Sequence, residues 1–176
     1  MKWRSRFTRL LCVSLLFAFG PIGHAANPAV GSLDTCFSPV ERCDLKLIAL
    51  LQTATKSLDI AIYSITHPQI VAAIIAAKTR GVKVRMVVDR QQSTGTSSLV
   101  TLLKSSGISL RVGNVQGIMH DKFSIVDKRT LETGSFNYTN NASESNAENQ
   151  IYLNDPSTIL KFEVIFAALW SSSAAN

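Results

Sequence analysis

The feature that most constrains the fold is a regular alternation between segments with two different hydrophobic periods. Side chains in a strand alternate between two faces, whereas an amphipathic helix repeats its apolar positions every three to four residues. Strand-like segments cover residues 58–65, 82–88 and 108–112, and helical segments cover residues 45–54, 68–80 and 97–106. Two of these helices are followed by a glycine, Gly81 and Gly107, which favours helix termination. This rhythm predicts an α/β fold with parallel neighbouring strands.

The second half of the chain has a different pattern. Residues 119–126 and 131–137 are predicted as two strands joined by a short turn at 127–129, followed by a strand at 148–153 and a closing helix at 156–170. We therefore predict an α/β protein with a mixed, largely parallel β-sheet flanked by helices on both faces. No linker or second apolar span interrupts residues 26–176, and about 150 residues suit a single domain.

The first 25 residues have the pattern of a secretory signal peptide. A basic start precedes the apolar run 10–19, and small residues at Gly23 and Ala25 prepare cleavage before Ala26. The apolar run is shorter than the ~20 residues of a spanning helix, although an uncleaved membrane anchor remains the alternative. We therefore expect an exported protein, periplasmic or secreted, without stable membrane insertion after cleavage.

Removal of this segment changes both the charge and the cysteine count. Its four cations leave, so the mature chain carries 14 basic and 12 acidic residues, a net charge of +2 instead of +6. A charge this small does not identify a partner by itself. Of the three cysteines, Cys36 and Cys43 remain, and an oxidising compartment favours a disulfide between them over two free thiols.

A group of polar residues interrupts the predicted hairpin of residues 119–137. Strand alternation places His120 and Lys122 on one face, and likewise Ser135 and Asn137 on one face of the next strand. Antiparallel pairing would bring these four side chains together. A lysine and an asparagine can hold anionic oxygens, and a histidine can attack phosphorus or transfer a proton near neutral pH. The set predicts a phosphate-binding site.

The spacing of these residues resembles the HKD motif of the phospholipase D superfamily. The motif positions are His120, Lys122, Asp127, Gly134, Ser135 and Asn137. Phe37-Ser38-Pro39, Ala61-x-Tyr63-Ser64, the segment 80–85 and Asp89 resemble the N-terminal half of the same superfamily. The resemblance covers nearly the whole mature chain and is greatest to the small exported endonucleases with a single motif. It implies the α-β-α sandwich of that superfamily and phosphodiester hydrolysis.

Not every residue of the motif is predicted to touch a phosphate. Asp127 falls on the opposite strand face and at a strand end, so a turn-stabilising role is at least as plausible as a catalytic one. Glu148 begins the next strand, where its carboxylate could accept a hydrogen bond from a ring nitrogen of His120. Gly134 is expected to permit a close backbone approach. His67 is expected to be structural.

A single motif has a consequence for the assembly. Phosphodiester cleavage through a phospho-histidine needs one histidine that attacks phosphorus and a second group that protonates the leaving oxygen. Only His120 lies in a phosphate-binding setting, so we expect a homodimer in which two copies of His120 face one phosphate, as the superfamily implies. No cluster of metal ligands is evident, and we expect a reaction without metal or other cofactor.

The substrate is less constrained than the chemistry. No base-reading module is evident, so a nuclease would contact backbone phosphates of DNA, with RNA as a further candidate, and show little sequence preference. A phospholipid hydrolase is the first alternative, although no amphipathic membrane-surface element is evident in the mature chain. A non-catalytic nucleic-acid-binding protein is the second alternative, and the intact motif argues against it.

Overall fold

The computed structural model describes residue 31 and residues 33–175, and the predicted signal peptide lies outside this range. Eight strands and six helices follow one another in the described part. The strands are β1 (Leu33–Ser38), β2 (Ser57–Ile62), β3 (Lys83–Val88), β4 (Ser109–Val112), β5 (Lys122–Val126), β6 (Thr130–Gly134), β7 (Glu148–Leu153) and β8 (Ala174–Ala175). The helices are α1 (Cys43–Thr53), α2 (Pro68–Thr79), α3 (Arg90–Ser93), α4 (Val100–Ser105), α5 (Asn140–Glu144) and α6 (Pro156–Ser172).

All eight strands form one mixed sheet in the order β1-β7-β6-β5-β2-β3-β4-β8. The predicted α/β class is confirmed, but "largely parallel" was too strong. Among the described strands, only β2–β3 and β3–β4 pair in parallel, and every other neighbouring pair is antiparallel. Parallel pairing needs a long crossover such as α2, whereas the short turn between β5 and β6 can connect only antiparallel strands.

Helices cover both faces of the sheet, as predicted. In β2, Leu58, Ile60 and Ile62 are fully buried and pack into a core that also contains residues of α1, α2 and α4. Ala61 points to the opposite face and belongs to a second core with Phe123 and residues of α6. The strands at the centre of the sheet are therefore buried on both faces, which explains their nearly continuous apolar sequence.

The ends of the elements follow the predicted signals closely in the first half of the chain. Gly81 and Gly107 adopt positive φ angles of 92° and 74° directly after α2 and α4. The hairpin strands are shorter than predicted, since β5 begins at Lys122 and β6 ends at Gly134. The elements β1, β8, α3 and α5 were not predicted from the sequence.

The two mature cysteines are bonded. Cys36 in β1 and Cys43 at the start of α1 form a disulfide with a Cα–Cα distance of 5.6 Å. The bond joins the edge strand β1 to the helix that packs against it. Within residues 33–175, no helix has the length and apolar character required to cross a bilayer.

Candidate active site

The site lies at the edge of the sheet where β2 and β3 end and β5 begins. β5 pairs antiparallel with β2 and sets its first residue, Lys122, beside Ile62 at the end of β2. His120 precedes β5 by two residues and is exposed to solvent. Its side chain therefore projects from a loop that is anchored on the central strands, which is a common position for catalytic groups.

Lys122 is almost completely buried, with a relative exposure of 7%. Its Nζ donates a hydrogen bond to the backbone oxygen of His120 at 2.7 Å and lies 5.2 Å from the ring centroid of Tyr63. Burial lowers the pKa of Lys122, and the negative charges of Glu148 and Asp121 oppose that change. The structure thus holds a desolvated cation directly beneath His120, where an anionic ligand would compensate its charge.

The imidazole of His120 contacts the ring of Tyr63. The two ring centroids are 4.5 Å apart, with an interplanar angle of 62°, so the contact is edge-to-face. Because Lys122 and His120 contact the same aromatic ring, their side chains are held next to one another. The nucleophile and the cation predicted from the sequence are brought together.

Ser135 and Glu148 form a second part of the site. The Ser135 hydroxyl donates to Oε2 of Glu148 at 2.5 Å, and the Asn146 amide donates to Oε1 at 3.0 Å. We expected the carboxylate of Glu148 to accept a hydrogen bond from the ring of His120, but in the single chain it accepts hydrogen bonds from Ser135 and Asn146. Both carboxylate oxygens already accept hydrogen bonds from residues of the β6–β7 connection or its borders, and the charge of Glu148 acts on Lys122 instead.

Gly134 explains how Ser135 reaches this position. A Cβ atom at residue 134 would lie 2.1 Å from the backbone oxygen of Asn149, so only glycine permits the approach of β6 to β7. The backbone nitrogen of Ser135 donates to the same oxygen at 3.1 Å, and the backbone nitrogen of Asn149 donates to the Ser135 hydroxyl at 3.1 Å. These bonds fix the serine. The predicted role of Gly134 in close backbone approach agrees with this geometry.

The strand alternation predicted for the hairpin is wrong at its open end. Phe123 pairs with Thr133, and paired residues share a face, so Thr133 lies on the side opposite Lys122. Ser135 and Asn137 follow the end of β6 at Gly134, so they do not continue its alternation, and Ser135 reaches Glu148 from outside the strand. The half-buried Asn137 has a side-chain oxygen that is buried without a hydrogen-bond partner. The following residue, Tyr138, donates its backbone N–H to the backbone oxygen of Ser64.

Asp127 lies at the other end of β5, about 16 Å of strand from Lys122 at ~3.3 Å per residue. Its carboxylate accepts hydrogen bonds from the backbone of three consecutive residues and from one hydroxyl, namely the N–H groups of Thr55, Lys56 and Ser57 and the Thr55 Oγ1. Burial opposes ionisation, but these hydrogen bonds outweigh it and lower the pKa of Asp127. This placement favours the turn-stabilising alternative for Asp127 over contact with a phosphate.

His67 lies outside the site, in the core. It has a relative exposure of 4%, and its Nε2 is 3.7 Å from the buried carboxylate of Asp44. Burial lowers the pKa of His67, and Asp44 opposes the change. Across residues 33–175, no group of three or more His, Cys, Asp or Glu side chains could hold a metal ion. Metal independence itself stays a prediction for experiment.

Comparisons with known proteins agree with this geometry. The family described as "Cardiolipin synthase, PLD-like domain" matches residues 47–170. The chain belongs to the phospholipase D superfamily. Nuc of Salmonella typhimurium, a phospholipase D family member of known structure, is 34% identical, with 82% of this chain and 97% of Nuc aligned at a TM-score of 0.78.

Two other members of the superfamily illustrate its range. NucT from Helicobacter pylori is 29% identical, with 82% of this chain and 99% of NucT aligned at a TM-score of 0.77. The mitochondrial cardiolipin hydrolase of Danio rerio is 35% identical over 164 residues, which are 93% of this chain and 69% of the hydrolase. The protein is thus a phosphodiesterase of phospholipase D type.

A buried polar network lies beneath the site of this phospholipase D-like domain. Glu132 in β6 is fully buried and accepts a hydrogen bond from the Tyr138 phenol at 3.0 Å. The same phenol shares a 2.5 Å hydrogen bond with the hydroxyl of Ser124, which pairs with Glu132 across β5 and β6. Burial raises the pKa of Glu132 to about 8, while its contacts with Tyr138 and Gln150 oppose the change. Glu132 is therefore protonated at neutral pH.

This protonation makes stability depend on pH. The folded protein keeps a proton on Glu132 up to about pH 8, whereas the unfolded chain releases it near pH 4.5. The contribution of protonated Glu132 to the free energy of unfolding is therefore complete below pH 4.5 and is lost as pH rises to about 8. We expect Glu132→Gln to flatten this decline and to unfold at a higher urea concentration than the wild type at pH 9. Urea denaturation at pH 5 and pH 9 measures the difference. Equal pH dependence of the two proteins would show that Glu132 ionises normally.

Sequence reasoning missed part of the surroundings of His120. Tyr63 and Asp89 were noticed only as parts of the superfamily resemblance, without a role, and Gln92 carried no signal. Their contacts join four separate segments: the end of β2, α3, the end of β3 and the loop before β5. Such contacts depend on tertiary packing, so neither spacing nor periodicity could have revealed them.

Proposed function

We propose that this protein is an exported, metal-independent nuclease that cleaves phosphodiester bonds of DNA, with RNA as a further candidate. The observation that carries the proposal is the exposed His120 beside the buried cation of Lys122, in a chain that matches nearly the full length of the small protein Nuc. An open site of this kind suits a phosphate within a long polymer, because the strand can pass across it. The signal-peptide pattern and the disulfide support export into an oxidising compartment.

The proposed reaction proceeds through a phospho-histidine. A ring nitrogen of one His120 attacks phosphorus, and the bond between phosphorus and the leaving oxygen breaks as that oxygen takes a proton from a second imidazole. The second imidazole, now neutral, then removes a proton from water. The resulting hydroxide attacks phosphorus and releases the first His120, which returns both rings to their starting state.

The second imidazole belongs to the partner subunit's His120 in this proposal. Besides His120, the described residues contain only His67, which is 4% exposed and has its Nε2 3.7 Å from the buried carboxylate of Asp44. Lys122 is held in place by its bond to a backbone oxygen and serves as a fixed positive charge. A two-fold axis near His120 would give one phosphate two imidazoles and two ammonium groups. The active unit is then a homodimer.

Hydrolysis of phospholipids is the second candidate. It is supported by the 35% identity to a protein named mitochondrial cardiolipin hydrolase. It also fits two exposed apolar side chains near the site: Ile118, which is 48% exposed two residues before His120, and Phe37, which is 54% exposed and pairs with Asn149. Apolar side chains beside a phosphate site can contact lipid chains.

One comparison of substrates tests both candidates. We expect purified mature protein to nick plasmid DNA in the presence of EDTA at the same rate as in its absence, since no step of the proposed reaction uses a metal. RNA and vesicles containing cardiolipin or phosphatidylcholine are incubated in parallel, and phosphate diester cleavage is followed by gels and by lipid product analysis. The matched control is His120→Ala, which removes the proposed nucleophile.

The outcomes are distinct. The nuclease is supported if the wild type nicks DNA, His120→Ala does not, and the lipids stay intact. Cleavage of the lipids alone would overturn the nuclease and leave the phospholipid hydrolase. Loss of activity in EDTA that added Mg²⁺ or Zn²⁺ restores would contradict the metal-independent mechanism. Equal nicking by His120→Ala would show that a contaminating nuclease is responsible.

A further inference from the structure

The carboxylate of Asp89 joins two segments on either side of the site. Asp89 follows β3 and is buried, with a relative exposure of 2%. Its Oδ1 accepts hydrogen bonds from the backbone N–H groups of Gln91 and Gln92 at 2.9 and 3.0 Å, which caps the short helix α3. Its Oδ2 accepts a hydrogen bond from the backbone N–H of Met119 at 3.0 Å. One side chain therefore fixes both α3 and the residue directly before His120.

A second set of contacts leads from α3 to the same histidine through side chains. The Gln92 amide donates a hydrogen bond to the phenol oxygen of Tyr63 at 3.2 Å. The ring of Tyr63 contacts the imidazole of His120 at 4.5 Å between centroids and has the ammonium of Lys122 5.2 Å from its centre. The backbone path through Met119 and the side-chain path through Gln92 and Tyr63 both begin at Asp89 and meet at His120.

We propose that Tyr63 and Gln92 form an aromatic brace that positions His120 and Lys122 for phosphodiester cleavage, with Asp89 as its common anchor. The brace, defined as the side chains of Tyr63 and Gln92, acts through the two site residues and takes no proton itself. This inference rests on the proposed role of His120 but not on the choice between nucleic acid and lipid. It assigns roles to two side chains outside the HKD motif.

The physical need for a brace follows from the exposure of His120. An exposed imidazole on a loop can occupy several rotamers, and in-line attack on phosphorus tolerates little displacement. An edge-to-face ring contact restricts the imidazole without taking up either ring nitrogen. The same ring interacts with the ammonium of Lys122, so the distance between nucleophile and cation is set by one rigid group.

The phenol hydroxyl gives the brace a specific test. Tyr63→Phe keeps the ring but loses the acceptor for Gln92, and Gln92→Leu loses the donor while keeping a side chain of similar size. If the hydrogen bond orients the ring, each variant removes the same interaction, so the double variant should be no worse than either single variant. We expect each of the three to lower kcat by about threefold to tenfold with KM nearly unchanged.

The measurement uses bis(4-nitrophenyl) phosphate, a small diester that lacks both a nucleobase and a lipid chain. Tyr63→Leu, which removes the ring itself, is expected to lower kcat by about 100-fold, as a displacement of about 1 Å can. Gln91→Leu is the matched control on the same helix, because the Gln91 side chain is exposed and its hydrogen bond to Asp89 comes from the backbone N–H, which the substitution keeps. Thermal unfolding is recorded for every variant.

Several results would overturn the brace. Tyr63→Leu with more than half of the wild-type kcat would show that the ring positions nothing. A rise in KM with unchanged kcat would make Tyr63 a substrate-binding residue instead. Multiplicative effects of Tyr63→Phe and Gln92→Leu would exclude a shared interaction. His120→Ala is measured alongside, so that an active His120→Ala protein marks failure of the proposed catalytic role itself and not of the brace.

Discussion

Replacing His120 with alanine is expected to lower kcat toward any phosphodiester by at least about 1000-fold, because the substitution removes both the nucleophile and the proton donor of a dimeric site. The thermal unfolding temperature should change by no more than about 1 °C, since the side chain is exposed. Initial rates in EDTA and a thermal melt measure the two quantities. A large loss of activity without a loss of stability would identify His120 as a catalytic residue.

Mixed dimers make the test sharper. A dimer with one wild-type subunit and one His120→Ala subunit contains one imidazole where the proposed reaction needs two. Two differently tagged chains, co-expressed and purified in tandem, provide this species. We expect this mixed dimer to be nearly as inactive as the dimer in which both subunits carry His120→Ala. Retention of about half of the wild-type activity would mean that each subunit works alone, and so would an active monomer in sedimentation or light-scattering measurements.

Replacing Lys122 with methionine is expected to separate activity from stability. Lys122 is buried with its ammonium beneath His120, where it can neutralise a phosphate in the ground and transition states. We expect kcat/KM to fall by about 100-fold or more. Folding should become more favourable, because methionine fills a similar volume without a buried charge. Steady-state kinetics and urea denaturation on the same preparation measure both effects.

The stability effect has a definite pH dependence. Burial lowers the pKa of Lys122 from the ordinary value of 10.5, so the folded protein binds fewer protons than the unfolded chain between the two values. The cost of burying the charged ammonium therefore decreases as pH rises toward 10.5, where the unfolded chain also loses the proton. The advantage of Lys122→Met should therefore shrink between pH 7 and pH 10. Lys128→Met is the matched control, since the Lys128 side chain is 65% exposed and its ion pair with Glu163 at 3.2 Å lies at the surface.

An equal fall in stability for Lys122→Met at both pH values would contradict this view of Lys122. It would mean that the ammonium contributes more through its hydrogen bond to the His120 backbone oxygen than its desolvation costs. An unchanged kcat/KM would remove Lys122 from the site altogether.

The polar motif and the actual site differ in instructive ways. The motif spacing groups Asp127 with the other predicted site residues, but folding divides these residues between two ends of β5. His120, Lys122, Ser135 and Glu148 lie at one end, where their contacts and charges connect them. Asp127 lies at the other end and binds the backbone at the start of β2. A motif records which residues occur together in a family, and it does not distinguish contact with substrate from support of the fold.

Glu148 is a residue whose position was predicted from the sequence but whose hydrogen-bond partners were not. Its position at the start of β7 was predicted, and so was a carboxylate close to the site. Its partners could not be predicted, because Ser135 and Asn146 reach it only through the close approach of β6 and β7 at Gly134. Hydrogen-bond partners depend on distances of a few tenths of an ångström, which no spacing rule supplies.

The sequence by itself determined the α/β class, most helices and strands, the phosphate chemistry and the superfamily. The hydrophobic period of a segment indicates helix or strand, and the types and spacing of polar residues indicate the chemistry, without knowledge of how the segments pack. Only the tertiary structure decided the order of the strands, the small share of parallel pairing, and the burial of Lys122 and Glu132. It also decided that Tyr63 contacts the imidazole of His120, that Gln92 donates to Tyr63, and that Asp89 accepts from the backbone of Met119. Burial and long-range contact are properties of the folded chain as a whole, since they arise where segments far apart in sequence exclude water from one another.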